Sequence, residues 1–175
     1  MGKFDLDSVI RKVPDFPHPG ILFYDVTGIL AAPEAFRYCT DELAATVRAA
    51  SAQAIAAIEA RGFLFAAPVA QSCGLPLILV RKKGKLPGAV VSREFALEYG
   101  MDSIEIQKLE LDNPRSVFLL DDLIATGGTL RAAASLFREY GSKISGAAAV
   151  IGLPFLGYEQ ALGGIPVNTL INYAG

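Results

Sequence analysis

The sequence predicts an α/β fold, a central parallel sheet flanked by helices with one flexible lid or hairpin insertion. Three observations carry that reading. Runs apolar at every position, at 54–58, 77–80, 117–120 and 147–151, read as strands buried on both faces, since a half-exposed strand would alternate. Segments with apolar residues three to four apart separate these runs and read as helices. Glycine and proline punctuate the junctions, as at Gly74, Pro76 and Gly141. With 175 residues and 52% hydrophobic content the chain can bury one good core and is short for two, so one domain over 1–175 is expected.

The elements follow in order. A turn-rich entry, Asp15-Phe-Pro-His-Pro-Gly20, leads into the apolar stretch 21–26. Pro33 opens a helix, a position where its missing N–H is harmless, and Phe36, Cys39, Leu43 and Val47 form its buried stripe. The strand at 54–58 passes through the tight connection Glu59-Ala-Arg-Gly62 to a helix at 63–72, ended by Gly74 and Pro76. After the strand at 77–80, the stretch 81–104 breaks the alternation. It begins Arg81-Lys-Lys-Gly-Lys-Leu-Pro-Gly88, continues through alternating Val90, Ser92 and Phe95, which would pair as a hairpin, and reaches Leu97-Glu-Tyr-Gly100. A connection this long in a compact domain is usually a functional lid, and Gly84, Gly88 and Gly100 offer hinges. The strand at 117–120 precedes a helix at 130–140, with Leu130, Ala133 or Ala134, Leu136 and Phe137 on one face and Gly141 as its C-terminal cap. The strand at 147–151 completes the pattern. In such sheets ligands sit beyond the carboxyl ends of the strands. Residues 59–62, 81–85 and 121–129 all follow strand ends, so three loops converge on one rim.

Composition removes several function classes. A net charge of -2 and a pI near 5.4 lack the general basic field of a nucleic-acid binder. The single histidine, His18, is flanked by Pro17 and Pro19, which excludes a Ser-His-Asp triad and a His-rich metal site. Cys39 and Cys73 fall in helices beside apolar neighbours and suit neither a zinc site nor a disulfide framework, so reduced thiols in a cytoplasmic protein are expected. The N-terminus lacks the pattern of a signal peptide, and the most apolar stretch, 146–156, is too short to span a bilayer and broken by Gly152 and Pro154. No membrane association is expected.

The chemistry concentrates in 117–129, Val-Phe-Leu-Leu-Asp-Asp-Leu-Ile-Ala-Thr-Gly-Gly-Thr. An apolar strand runs into two carboxylates, acceptors for ribose hydroxyls, and then into a glycine loop whose free N–H groups at a helix start suit a phosphate. No lysine follows Gly127 and Gly128, so this is not a P-loop, and three spaced glycines of a dinucleotide fingerprint are missing. An isolated Asp-Asp pair would read as a strand end with a helix cap; the intact run reads as a sugar-phosphate site. Arg81, Lys82, Lys83 and Lys85 put four cations in five residues. Alone they would be a solvated face. Beside an anion loop they suit a polyphosphate leaving group, whose departure from a sugar carbon builds negative charge on its oxygens and positive charge on the ring.

The run 117–129 resembles the signature of the type I phosphoribosyltransferases, Rossmann-like proteins that bind phosphoribosyl pyrophosphate. Within them, the lid Arg-Lys-Lys-Gly-Lys-Leu-Pro-Gly, the later Leu-Glu-Tyr-Gly, the turn Glu-Ala-Arg-Gly-Phe and the opening Asp-Phe-Pro-His-Pro-Gly-Ile-Leu-Phe resemble the adenine phosphoribosyltransferase family, from about Asp15 to the final Leu-Ile-Asn-Tyr. The resemblance implies purine salvage: adenine and phosphoribosyl pyrophosphate give AMP and pyrophosphate, with Mg²⁺ bound through the donor and usually a homodimer. It implies an N-terminal purine-side hood at 1–30 and a flexible lid at 81–104.

Carried onto this chain, the resemblance gives each residue a role. Ala125, Thr126, Gly127, Gly128 and Thr129 would wrap the 5′-phosphate. Asp121 and Asp122 would accept from the ribose hydroxyls and favour an oxocarbenium-like ring. Arg61 would contact pyrophosphate or purine, and Arg81 and Lys85 would bind pyrophosphate with the metal. Glu98 would handle a proton and Tyr99 would cover the site. Main-chain groups around Leu22 would read the adenine edge beside Phe23 as an apolar wall. The plainer alternatives are an Arg61 that pairs with Glu59, a Glu98 that orients water or the lid, and Phe23 and Tyr99 as packing residues. Tyr24 stands where the family commonly has a basic residue, and Ser92-Arg93-Glu94-Phe95 replaces a smaller run; both bear on the purine entrance and lid. Competing functions are transfer to a 6-oxo purine such as hypoxanthine, guanine or xanthine, and a non-catalytic sensor of phosphoribosyl pyrophosphate.

Overall fold

The computed structural model describes residues 4–96, 101–113 and 115–174. An antiparallel ribbon of β1 (Arg11–Pro14) and β2 (Leu22–Asp25) precedes the short α1 (Thr27–Leu30) and the long α2 (Pro33–Ala49). The main sheet then alternates with helices: β3 (Ala54–Ile58), α3 (Gly62–Cys73), β4 (Leu77–Lys82), the hairpin β5 (Val90–Ala96) and β6 (Met101–Gln107), and α4 (Lys108–Leu111). It continues with β7 (Ser116–Ile124), α5 (Gly128–Glu139), β8 (Lys143–Gly152), α6 (Tyr158–Leu162) and β9 (Val167–Asn172). The sheet order is β5-β6-β4-β3-β7-β8-β9, parallel from β4 through β9.

Both faces of the central strands β3, β7 and β8 are covered, which is why 54–58, 117–120 and 147–151 are apolar at every position; in β4, also read as buried on both faces, Leu79 is instead exposed because no helix covers it there. Ile55, Ala57, Phe118 and Leu120 pack with Val47 of α2 and Phe65 of α3 on one side; Ala54, Ala56, Val117 and Leu119 pack with Leu136 and Phe137 of α5 on the other. Local signals mark the helix ends as expected. Pro33 is the first residue of α2, and Gly74 and Gly141 adopt the left-handed conformation after α3 and α5. Cys39 and Cys73 are free thiols in α2 and α3.

The structure revises two expectations and extends a third. The strand read as 117–120 runs on to Ile124, because β8 continues to pair with it as far as Ile124↔Gly152, so Asp121 and Asp122 lie inside the strand. The helix read from 130 begins at Gly128, which places Gly128 and Thr129 in its first turn. The strands β5 and β6 pair as the hairpin expected in this region, and β6 pairs antiparallel with the end of β4, Arg81↔Glu105 and Lys82↔Ile104, so the hairpin extends one edge of the main sheet. The ribbon β1–β2, α1, α6 and β9 were not separately anticipated.

The chain order locates the crevice. From β3 the crossover α3 leads to β4 on one side, and from β7 the crossover α5 leads to β8 on the other, so connections diverge between β3 and β7. Pairing between these two strands ends at Ala57↔Leu120, whereas β7 continues beyond it. A notch opens where β7 outruns its neighbour, and Asp121 and Asp122 stand in it.

Candidate functional site

A cavity of ≈ 400 Å³ occupies this notch, with Glu59, Arg61, Arg81, Lys82, Asp121 and Asp122 among its walls. It shares the wall residues Asp121, Leu123 and Thr129 with a smaller concavity of ≈ 180 Å³ lined by the loop Ala125, Thr126, Gly127, Gly128 and Thr129. Gly127 has φ 77 as the residue before α5, a turn glycine makes without steric cost, and it directs the first N–H groups of a 12-residue helix at the concavity. The Gly128 N–H reaches only as far as the Thr126 hydroxyl, at 3.5 Å.

The acidic pair is tightly packed. The Asp122 N–H donates to Asp121 Oδ1 at 2.8 Å, and burial first, then the charge of Asp122, pushes the Asp121 carboxyl well above the usual aspartate range. Arg61 supplies the counter-charge. Its Nε lies 2.7 Å from Asp122 Oδ2, yet that oxygen receives no directed hydrogen bond, so the contact is Coulombic with the N–H out of line. The same guanidinium sits 5.0 Å from the centre of the Phe23 ring, and thereby bridges β7 to the N-terminal ribbon. Gly62, the first residue of α3, makes the close approach possible: a Cβ there would lie 2.9 Å from Asp121 Oδ1 and 3.1 Å from Asp121 Cα.

Across the cavity, Glu59 organises the cations. Arg81 donates from Nε and Nη2 to the two Glu59 carboxylate oxygens, at 3.2 and 3.1 Å, and the Lys82 N–H donates to Oε2 at 2.8 Å. Burial opposes ionisation of Glu59, but these hydrogen bonds and the charges of Arg81 and Lys85 outweigh it and hold the carboxyl below the ordinary glutamate range. Arg81 Nη1 also donates to the Lys85 carbonyl at 3.0 Å, and buried Glu105 accepts from the Gly84 N–H at 2.9 Å, so two carboxylates pin the basic turn. The Glu59–Ala60 peptide is cis.

Arg61, Arg81, Asp121, Asp122 and the loop 125–129 are thus brought together as expected. Lys85 joins through its main chain, with its side chain exposed outside the cavity wall, and Lys82 takes a place on that wall instead. Phe23 joins through Arg61, while Leu22 is exposed on the neighbouring edge of the ribbon. Arg61 pairs with Asp122 and not with Glu59. Glu98 and Tyr99 lie outside the described residues. Glu105 was not anticipated at the site; Glu59 and Gly62 were expected there only as parts of the loop 59–62, and Lys82 only as one of four cations in the basic run, none with a role of its own. A signal for Glu59 existed, because consecutive parallel strands set Ile58 opposite Val80 and so make Glu59 and Arg81 neighbours.

Comparison with known proteins agrees with this geometry. Residues 25–155 match the family described as phosphoribosyl transferase domain. The adenine phosphoribosyltransferase of Treponema denticola is 56% identical over 96% of this chain and 88% of its own length. That of Rhodospirillum rubrum is 48% identical over 97% of this chain and 98% of its own. Among solved structures, the adenine phosphoribosyltransferase of Thermoanaerobacter pseudethanolicus superposes with a TM-score of 0.92 at 41% identity, covering 95% of this chain and 97% of that one. The Giardia lamblia enzyme, solved with 9-deazaadenine, gives 0.89 at 34% identity over 97% and 96% of the two chains. The chain therefore belongs to the phosphoribosyl transferase family, among its adenine phosphoribosyltransferases.

Proposed function

We propose that this protein transfers the 5-phosphoribosyl group of phosphoribosyl pyrophosphate to adenine, giving AMP and pyrophosphate, a step of purine salvage. The observation that carries it is the notch between β3 and β7, with two carboxylates flanked on one side by a cation cluster and on the other by a phosphate loop. In the reaction N9 of adenine forms a bond to C1′ of the donor, the bond from C1′ to the pyrophosphate oxygen breaks, and the N9 proton departs. Positive charge grows on the ribose ring and negative charge on the leaving oxygens. Asp121 and Asp122 accept from the ribose hydroxyls and stabilise the ring, the loop 125–129 holds the 5′-phosphate, and Arg81 and Lys85 receive pyrophosphate. Arg61 sits between ribose and base, and the ribbon residues Leu22 and Phe23 form the adenine side, as part of a hood over 1–30. We assign Glu98 to proton handling and Tyr99 to covering the site, within a lid over 81–104.

Mg²⁺ fits this donor set as a guest of the substrate. Among the described residues no three His, Cys, Asp or Glu side chains group to hold a metal, and the site offers two adjacent carboxylates, one with an oxygen lacking a directed hydrogen bond. Asp121 and Asp122 would be the carboxylates facing such an ion brought in with the donor, and it would supply neutralisation of the charge on the departing group. The family relationship supports a homodimer. The free thiols of Cys39 and Cys73 support a cytoplasmic setting, and no described helix is long and apolar enough to cross a membrane.

A 6-oxo purine presents an acceptor where adenine presents a donor, so one site cannot satisfy both edges equally. The curated relatives above are all named for adenine, which disfavours the 6-oxo alternative. A coupled assay with phosphoribosyl pyrophosphate, Mg²⁺ and a panel of nucleobases tests the proposal. Turnover confined largely to adenine is expected; equal rates with hypoxanthine, or none with any base, would overturn it.

A further inference from the structure

Two adjacent aromatic residues of β2 face opposite ways, as successive strand residues must. Phe23 lies under the Arg61 guanidinium and in edge contact with Phe16, with ring centres 5.0 Å apart. Tyr24 turns inward, is only 6% exposed, and stacks on Tyr173 with centroids 4.1 Å apart and planes 15° from parallel. Tyr173 follows the edge strand β9, and its N–H donates to the Gly152 carbonyl at 3.1 Å, which ties it to the end of β8. The Tyr173 hydroxyl donates to Asp7 Oδ1 at 2.6 Å. Lys12 of β1 reaches the Asp7 carboxylate at 2.8 Å and sits 5.1 Å from the centre of the Tyr173 ring. Both strands of the ribbon are therefore fastened to one residue at the far end of the chain.

A two-stranded ribbon is marginal by itself, so its contacts with the rest of the molecule decide where it sits. We propose that Tyr24 and Tyr173, with the links through Lys12 and Asp7, form a clasp that sets the position of Leu22 and Phe23, making both tyrosines positioning residues for the purine. The inference rests on the reading of the chain as a purine phosphoribosyltransferase. It gives the aromatic ring at position 24 a role, the near-parallel stack on Tyr173. It also predicts a selective defect. The groups assigned to the donor, Arg81 and the loop 125–129, belong to the main sheet and its crossovers, and loosening the ribbon leaves them in place.

The test compares Tyr173→Ala, which removes ring and hydroxyl, with Tyr173→Phe, which keeps the ring, and with Asp7→Asn, which keeps the stack should the alanine variant fail to fold. Tyr173→Ala should raise the KM for adenine by about tenfold, the scale of one lost aromatic pair, while the KM for phosphoribosyl pyrophosphate and kcat stay within about twofold. Tyr173→Phe and Asp7→Asn should each raise the adenine KM by no more than about threefold. Amide exchange across residues 11–25 should accelerate in Tyr173→Ala and stay near the parent rate in Tyr173→Phe. An adenine KM within about twofold of the parent in Tyr173→Ala, or equal rises for both substrates, would overturn the clasp as a positioning device. Were the parent inactive on adenine, the functional reading would fall by itself, and unchanged exchange over 11–25 would separately sink the clasp.

Discussion

Arg61 Nε stands 2.7 Å from Asp122 Oδ2 while its guanidinium covers the Phe23 ring at 5.0 Å, so one side chain joins the acidic pair of β7 to the N-terminal ribbon. The carboxylate is 6% exposed and the arginine 39%, which makes Arg61 the cheaper partner to leave in water and Asp122 the one that depends on the pair. Removing the arginine strands a buried charge.

Arg61→Ala should therefore lose both stability and activity. Breaking a fully buried pair costs about 3–5 kcal/mol, and the exposure of Arg61 lowers the expectation to roughly 1–2 kcal/mol by urea denaturation. Turnover of adenine should fall by about 10²-fold, the scale of one lost electrostatic partner in the transition state. Arg61→Ala with parent-like kinetics would mean that the pair is structural only.

Asp121→Asn should separate stability from catalysis. The Asp121 carboxyl is raised well above 3.8 by burial and by Asp122, so the native state resists its ionisation. A raised folded value contributes stability below the unfolded value of 3.8, and that contribution is lost as pH rises through the folded value. The amide cannot ionise and can still accept the Asp122 N–H. The variant should melt above the parent near neutral pH, converge with it below about pH 4, and lose adenine turnover by about 10²-fold. Scanning calorimetry across that range checks the sign, and a variant less stable than the parent at neutrality would contradict it.

Glu59→Gln carries the opposite sign. Glu59 is held below 4.5, so its stabilising contribution is fully present above 4.5 and is lost as pH falls through the lowered folded value. The variant should be less stable than the parent at neutral pH, with the difference shrinking under acid. Because glutamine cannot accept both Arg81 N–H groups and the Lys82 N–H with full charge, the KM for phosphoribosyl pyrophosphate should rise by roughly tenfold. Steady-state kinetics with that donor varied would expose a clamp that does not matter.

Gly62→Ala tests placement of the acidic pair. Alanine is the better helix former by about 1 kcal/mol, yet its Cβ would stand 3.1 Å from the Asp121 backbone, which cannot swing aside. Displacement of Asp121 should dominate the kinetics, lowering kcat/KM by about 10²-fold while circular dichroism shows the helix content retained. Parent-like kcat/KM would show that the notch tolerates the methyl group.

Much of the scaffold was legible because its causes are local. The stripe Phe36, Cys39, Leu43 and Val47 predicts α2, the apolar run Ala54–Ile58 predicts β3 to the residue, and Gly74 and Gly141 mark helix ends through their left-handed backbone. The ribbon was harder to read: β1 is exposed at every position, so no burial pattern advertised it. The extension of β7 through the acidic pair depends on β8, a neighbour that no local pattern reveals. The pairing of Glu59 with Arg81 joins residues that meet only because two strands lie side by side.

The sequence by itself determined the class of fold, the order strand–acidic pair–glycine loop–helix, and the kinds of charge available, since each follows from side-chain periodicity and chemistry along the chain. Tertiary structure alone decided which charges face one another: that Arg61 neutralises Asp122, that Glu59 gathers Arg81 and Lys82, and that Tyr173 holds Tyr24. The reason is physical. A backbone pattern is set within a few residues, whereas electrostatic and stacking partners are chosen by distance in space, and strand order brings distant segments within a few ångströms.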